Sequence, residues 1–265
     1  MSEKQIIYRD GKNINFKYAK GKVDIYGRLF HDFYGIYLFI GGRCEFISDN
    51  TRLELVPNML VIIPPGEYHQ YITIGDMSSY ERCVICVYPE FLEGGLLGTA
   101  LSGQNLIALA ADHRIVTNFK YLAQCAHTLG DEDFAHILTG VGTDIIFLIK
   151  NHEKSEVQPG SLRLTSRSLM NFINEHYRDD IDLDMLSKHF HFSVSQLAHV
   201  FKEDYGISIK KYILQKRMNG AHLALQNGKG AEEVSAEYGF SNYSTFYRAY
   251  VKYFGVSPSK TAKGE

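Results

Sequence analysis

Between residues 14 and 90 apolar and polar positions alternate in short runs: GIYLFIGG, CEFISDNTRLELVPN, MLVIIPPG, YHQYITIGDM and YERCVICVYP. These runs are rich in Val, Ile, Tyr and Phe and are broken by Gly, Pro and Asp-Asn turns, which predicts the short strands of an all-β sandwich or barrel. From about residue 104 to 152 the period lengthens. Phe119, Leu122, Ala123, Ala126 and Leu129 recur at helical spacing, and DFAHILTGVGTDIIFLIKNH continues in that period despite its glycines. EKSEVQPGS (153–161) is polar, contains Pro and Gly, and reads as a linker. Everything after it is helical. The pattern therefore predicts an α+β multidomain chain: a β domain over 1–103, a helical segment over 104–152, a linker over 153–162, and an all-α domain over 163–265.

The all-α domain contains one unit twice. Phe192-Ser193 matches Phe240-Ser241, and Phe201, Tyr205, Gly206 and Ser208 match Tyr250, Phe254, Gly255 and Ser257 one residue further on. In each copy a short helix carries apolar residues (Leu183, Leu186, Phe190; then Val234, Tyr238) into a tight turn at His191 or Gly239. Such a turn favours positive φ, which Gly adopts freely and His tolerates better than most. A serine suited to capping follows, Ser193 or Ser241, then a second helix that stops at Gly206 or Gly255. Helix, tight turn and capped helix make a helix-turn-helix. In the second copy Phe246, Ala249, Tyr250 and Tyr253 form the expected core side, while Asn242, Thr245, Arg248 and Lys252 share another, with Tyr243 and Ser244 near the helix start. Those groups suit a major groove: Arg248 for guanine, the Thr245 methyl for thymine, Lys252 for phosphate. Between the copies ISIKKYILQKRMNGAHLALQ predicts a helix of roughly 18 residues, about 27 Å long. That suits two recognition helices near one DNA turn apart, about 34 Å.

Charge adds modestly to this picture. The 265-residue chain has a net charge of −2, but residues 161–265 carry 14 Lys and Arg against 11 Asp and Glu, and residues 1–160 carry 14 against 19. The basic excess falls on the helix-turn-helix half. The start MSEKQIIYRDGKNINF lacks the apolar run of a signal peptide, and no apolar run is long enough to span a bilayer, so the expected location is the bacterial cytoplasm, at the nucleoid, without membrane contact. Cys83 and Cys86 form a C-x-x-C on a predicted strand. Side chains three apart on a strand face opposite ways, so the pair is expected to be structural.

The region 163–263 resembles the AraC/XylS family of transcription regulators along its full length. The resemblance rests on FSVSQLAHVFKEDYGISIKKYI, on Arg217, Ala221 and Leu225 in the linking helix, and on GFSNYSTFYRAYVKYFGVSP. It implies base-facing positions at Ser195, Ala198 and His199 in the first unit and at Tyr243, Ser244, Thr245 and Arg248 in the second, with Gln196 and Lys202 flanking. Departures from the family pattern include His191 in place of a turn glycine and Gly220, which is expected to interrupt the linking helix.

NMLVIIPPGEYHQY resembles the second motif of the cupin barrel, with Pro64, Gly66 and His69 matching. The first motif maps on LFHDFYG, where Leu29 and Gly35 replace a histidine and the glutamate and only His31 remains. Two imidazoles are too few for a catalytic metal, so no metal, no cofactor and no enzyme activity are expected. Strand alternation relative to the lost ligand positions puts His31, Tyr37, Phe39, His69 and Tyr71 inside the barrel, with Arg82 contributing from YERCVICVY. Aromatics with a few donors suit a small polar effector such as a sugar. The expected partners are duplex DNA, that effector, a second copy of the chain paired through 104–152, and RNA polymerase. The competing readings are a barrel that only dimerises and a cupin enzyme.

Overall fold

The structure, a computed structural model, describes residues 5–21, 31–48, 51–75, 77–92, 101, 106–152 and 164–263. Leu29 of the first cupin motif and the linker expected over 153–162 lie outside the described residues. The chain forms two compact units, Met1–Gly160 and Ser161–Glu265.

The first unit contains strands β1 (Gln5–Asp10), β2 (Ile14–Lys20), β3 (Tyr34–Gly41), β4 (Cys44–Ser48), β5 (Arg52–Leu55), β6 (Met59–Ile63), β7 (His69–Thr73), β8 (Glu81–Val87) and β9 (Leu106–Ala108). A short helix α1 (Pro89–Leu92) precedes β9, and α2 (Arg114–Thr128) and α3 (Asp131–Lys150) follow it. Six strands pair antiparallel in the order β1-β2-β8-β3-β6-β9, and three in the order β5-β4-β7.

Strand alternation gives the larger sheet two different faces. Ile14, Phe16, Ile36, Leu38, Cys83 and Ile85 point to one side and pack with Phe119, Leu122, Phe134 and Leu138 of α2 and α3. Ala19, Phe39, Val61 and Ile63 point to the other and meet Cys44, Phe46 and Tyr71 of the smaller sheet. Cys83 and Cys86 thus lie on opposite faces as free, buried thiols.

Two expectations need correction here. β1 begins the sheet at Gln5, before the expected start near residue 14. Residues 106–108 are strand, not helix: Leu60 pairs with Ile107 on the edge of β6, and helix begins only at Arg114.

The second unit is all helical among the described residues: α4 (Leu164–His176), α5 (Leu183–Phe190), α6 (Val194–Tyr205), α7 (Ile209–Gln226), α8 (Ala231–Glu237), α9 (Tyr243–Phe254) and α10 (Pro258–Lys263). The turn after α5 places His191 at φ 57°, and the turn after α8 places Gly239 at φ 72°. α6 and α9 both stop on left-handed glycines, Gly206 (φ 70°) and Gly255 (φ 76°). Ser193 caps α6 in a reciprocal box with Gln196. The second cap is Asn242, not Ser241: its side chain accepts from the Thr245 amide at 2.8 Å. The extra residue of the second copy falls between the turn and the cap and shifts the cap by one.

α7 runs unbroken through Gly220, where a Cβ would lie 2.3 Å from Tyr238 Cε1. That glycine lets the second unit's short helix approach and does not interrupt the linking helix. Arg217 ties the domain together, donating to the carbonyls of Tyr177 (2.6 Å), Asp179 (2.6 Å) and Gly239 (2.7 Å). No described helix is long and apolar enough to cross a membrane.

Candidate functional sites

Cross-strand register assembles the first site. Ala19, Arg82 and Phe39 form one row across β2, β8 and β3, and Lys17, Val84 and Tyr37 form the next. The smaller sheet places Tyr71 opposite, its ring 5.2 Å from that of Tyr37 and 5.2 Å from that of Phe46. His31 and His69 stand 4.8 Å apart between ring centroids, and the Tyr37 hydroxyl lies 3.5 Å from His69 Nε2. The structure thus brings together His31, Tyr37, His69, Tyr71 and Arg82, with Phe39 at one side against Tyr80 (5.9 Å).

The position where the cupin pattern has glutamate is Gly35, and the Tyr37 ring fills its space: a Cβ there would lie 2.4 Å from Tyr37 Cε2. Among the described residues no group of three His, Cys, Asp or Glu stands close enough to hold a metal ion.

Electrostatics define what this interior can do. Burial depresses the His31 pKa to about 4 and that of His69 to about 3, the latter aided by neighbouring His31 and Arg82. Both imidazoles are therefore neutral at pH 7. Burial raises the phenols of Tyr37, Tyr71 and Tyr80, which stay protonated. Burial works against the Arg82 charge, but its pKa is raised beside the Tyr80, Tyr71 and Tyr37 rings and the guanidinium stays positive. Both His31 ring nitrogens, the Tyr71 hydroxyl and Arg82 Nε are buried without a hydrogen-bond partner. Unsatisfied groups so close together are uncommon in a finished core. Two members of this interior escaped the sequence reading, Tyr80 and Lys17. Strand parity was the signal available: both point the same way as Arg82.

The second site is the exposed side of α6 and α9. In α9, Phe246 and Tyr250 are fully buried, whereas Tyr253 is 36% exposed and leaves the core side expected for it. Ser244, Thr245, Arg248 and Lys252 are exposed together; Tyr243 is half-buried, its ring 6.1 Å from that of Tyr247. Arg248 Nε donates to the Ser244 carbonyl at 3.3 Å, which steadies the guanidinium along the helix. Tyr247, 41% exposed, also lies at this surface and was not expected there. In α6, Ser195, His199 and Lys202 are exposed, and His199 faces Glu203 at 3.6 Å. Gln196 is exposed but partly committed, because its Oε1 accepts from the Ser193 amide (3.0 Å) and hydroxyl (2.8 Å). Ala198 is half-buried.

Known proteins share both halves. The AraC-like ligand binding domain family matches residues 17–137, and a helix-turn-helix domain family matches residues 186–264. The chain is 33% identical over 111 residues to the uncharacterised helix-turn-helix-type transcriptional regulator YdiP of Escherichia coli, across 42% of this chain and 37% of that protein. It thus spans little more than a third of that relative's length. It is 31% identical over 232 residues to the probable transcriptional regulator LumQ of Photobacterium leiognathi, across 87% of this chain and 89% of that one. Among solved structures, ToxT of Vibrio cholerae is 12% identical with a TM-score of 0.37, covering 98% of this chain and 96% of that one, a likeness too slight to carry an argument.

Proposed function

We propose that this chain, which belongs to the AraC family of DNA-binding transcription regulators, reads duplex DNA with α6 and α9 and takes a small polar effector, of the size of a sugar, between its two sheets. The observation that carries the DNA half is the duplicated unit. Each copy has a left-handed turn, a side-chain cap and a left-handed stop, and each turns hydrogen-bonding groups outward from the first turns of its second helix.

In the second unit Arg248 pairs with a guanine edge, the Thr245 methyl packs on thymine, and Tyr243 and Ser244 meet the neighbouring bases or backbone. Lys252, a turn further along, neutralises phosphate. In the first unit Ser195 and His199 face the bases and Lys202 the backbone, with Gln196 able to offer only its amide nitrogen. The 18-residue α7 joins the two units and, at about 27 Å, suits successive contacts on one face of the duplex. A homodimer through α2 and α3, centred on exposed Phe147 and Tyr121, places four such units on paired half-sites. RNA polymerase is the further partner of such a regulator, and the cytoplasm, at the nucleoid, its place of work.

An effector changes DNA binding only if it has different affinities for two states of the protein. The groups that would sense it are His31, Tyr37, Phe39, His69, Tyr71 and Arg82.

The DNA assignment is tested by gel-shift titration against an operator selected from random sequence. Arg248→Ala is expected to weaken specific binding by about 1–3 kcal/mol and to relax preference at one base pair. Unchanged affinity and specificity contradict the role given to Arg248.

A further inference from the structure

The inner face of the larger sheet carries two cations, and among the described residues no carboxylate acts on either: Asp10, which register puts on this face at the edge strand β1, is turned to Tyr8. The Arg82 guanidinium carbon lies 5.3 Å from the Tyr71 ring centroid, 5.8 Å from that of Tyr80 and 5.9 Å from that of Tyr37. Its Nε is buried and makes no hydrogen bond. Lys17 stands on the same face one row away, because Ala19 pairs with Arg82 and Lys17 with Val84. The two charges feel one another: burial first, and then Arg82, lower the Lys17 pKa.

None of the described acids near these residues in sequence or space acts on Arg82. Glu81 is turned to the other face, where it accepts from the Tyr18 hydroxyl (2.9 Å) and pairs with Lys20 (3.0 Å). Glu45 pairs with Arg52 at 2.8 Å. Asp32 acts on His31, Cys86 and Tyr88. His31 and His69 are neutral and supply no negative charge. The three tyrosine faces attract the guanidinium but have no net charge, so they steady the cation without neutralising it. A buried cation with free donor capacity is costly until an anion meets it.

We propose that the effector carries an oxyanion group, a carboxylate or a phosphate ester, that pairs with Arg82 while Lys17 adds to the attracting field and the Tyr71 hydroxyl donates to the same group. This deepens the sensor reading above and rests on it. Arginine's planar fork binds an oxyanion through two parallel hydrogen bonds, whereas a neutral sugar leaves the charge uncompensated. A sugar acid, a sugar phosphate or an aromatic carboxylate fits this interior, with the tyrosine rings covering its apolar part.

The experiment uses thermal unfolding of the full chain with matched probes: glucose, glucuronate and glucose 6-phosphate, and benzamide against benzoate. At millimolar concentration an anionic probe is expected to raise the Tm by several degrees while its neutral counterpart does nothing. A response to glucuronate or benzoate identifies the carboxylate; one to glucose 6-phosphate alone identifies the phosphate. Arg82→Met, which keeps volume and removes charge, is expected to abolish the response, and Arg82→Lys to keep a weakened one. Without any probe, Arg82→Met is expected to leave the Tm unchanged or higher. Equal shifts from neutral and anionic probes that persist in Arg82→Met overturn the oxyanion inference and leave the sensor reading standing. A fall of several degrees in unliganded Arg82→Met also overturns it, because Arg82 is then a structural post held by the rings. Silence from every probe contradicts the sensor reading as well.

Discussion

The two faces of the six-stranded sheet come from the same strands yet differ in kind. β2 sends Phe16 and Tyr18 to the helix side and Lys17 and Ala19 inward; β3 sends Ile36 and Leu38 one way and Tyr37 and Phe39 the other; β8 divides Cys83 and Ile85 from Arg82 and Val84. The helix side closes with apolar contacts, Phe16 against Phe134 at 5.8 Å between centroids among them. The inner side buries a charge and faces the two imidazoles, of His31 before β3 and His69 of the smaller sheet, among several phenols, and part of their hydrogen bonding is unused. One face holds the fold together. The other keeps polar groups that a core does not need, the usual sign that function and not stability chose them.

Substitutions should separate the two faces. Phe119→Ala on the helix side is expected to cost the most, about 3–5 kcal/mol in urea unfolding, with no change in which probe the barrel prefers. A change of preference would mean that the faces are not independent. Acid comes next. The His31 and His69 pKa values are depressed to about 4 and about 3, so folding favours their neutral forms. The stability this contributes is complete above about pH 6.5 and is lost as the pH falls through that value toward 4. By pH 5 each histidine is expected to have cost about 2 kcal/mol. Urea titrations at pH 7 and pH 5 on the wild type and on His31→Gln/His69→Gln measure this; equal pH dependence in both proteins contradicts it. Tyr71→Phe should have the smallest effect on stability. It removes a hydroxyl without a partner, so the unliganded protein should change by no more than about 1 kcal/mol, upward if at all, while the response to an anionic probe weakens.

Much of the molecule was legible because it repeats. The second half announced its turns, stops and linking helix through spacing alone, and His191 was readable as a left-handed residue because Gly239 stands at the matching place. The second cap was misread because the inserted residue falls between turn and cap, where Ser241 and Asn242 are equally suited by type. Gly220 looked like a break because its reason is the Tyr238 ring, which is distant in sequence. Residues 106–108 looked helical because Leu, Ile and Ala suit either element, and only pairing with β6 decides. The apolar positions of α2 and α3 are read from the sequence as a surface for a second copy of the chain. Most of them cover the helix side of the sheet, which local pattern does not disclose, leaving Phe147 and Tyr121 outside. In the barrel, parity placed Tyr37, His69 and Tyr71, and the same parity applied to β2 and β8 would have included Lys17 and Tyr80, whose nearness to Arg82 the fold then discloses.

The most direct test of the account is operator affinity, measured by gel shift at fixed salt, with and without the carboxylate or phosphate that most stabilises the barrel. The account predicts a several-fold change in the wild type that disappears in Arg82→Met, while DNA binding of the unliganded variant stays intact. A probe that stabilises the barrel but leaves operator affinity the same in both proteins would contradict it, because the inner face would then bind a ligand without informing the DNA-reading helices.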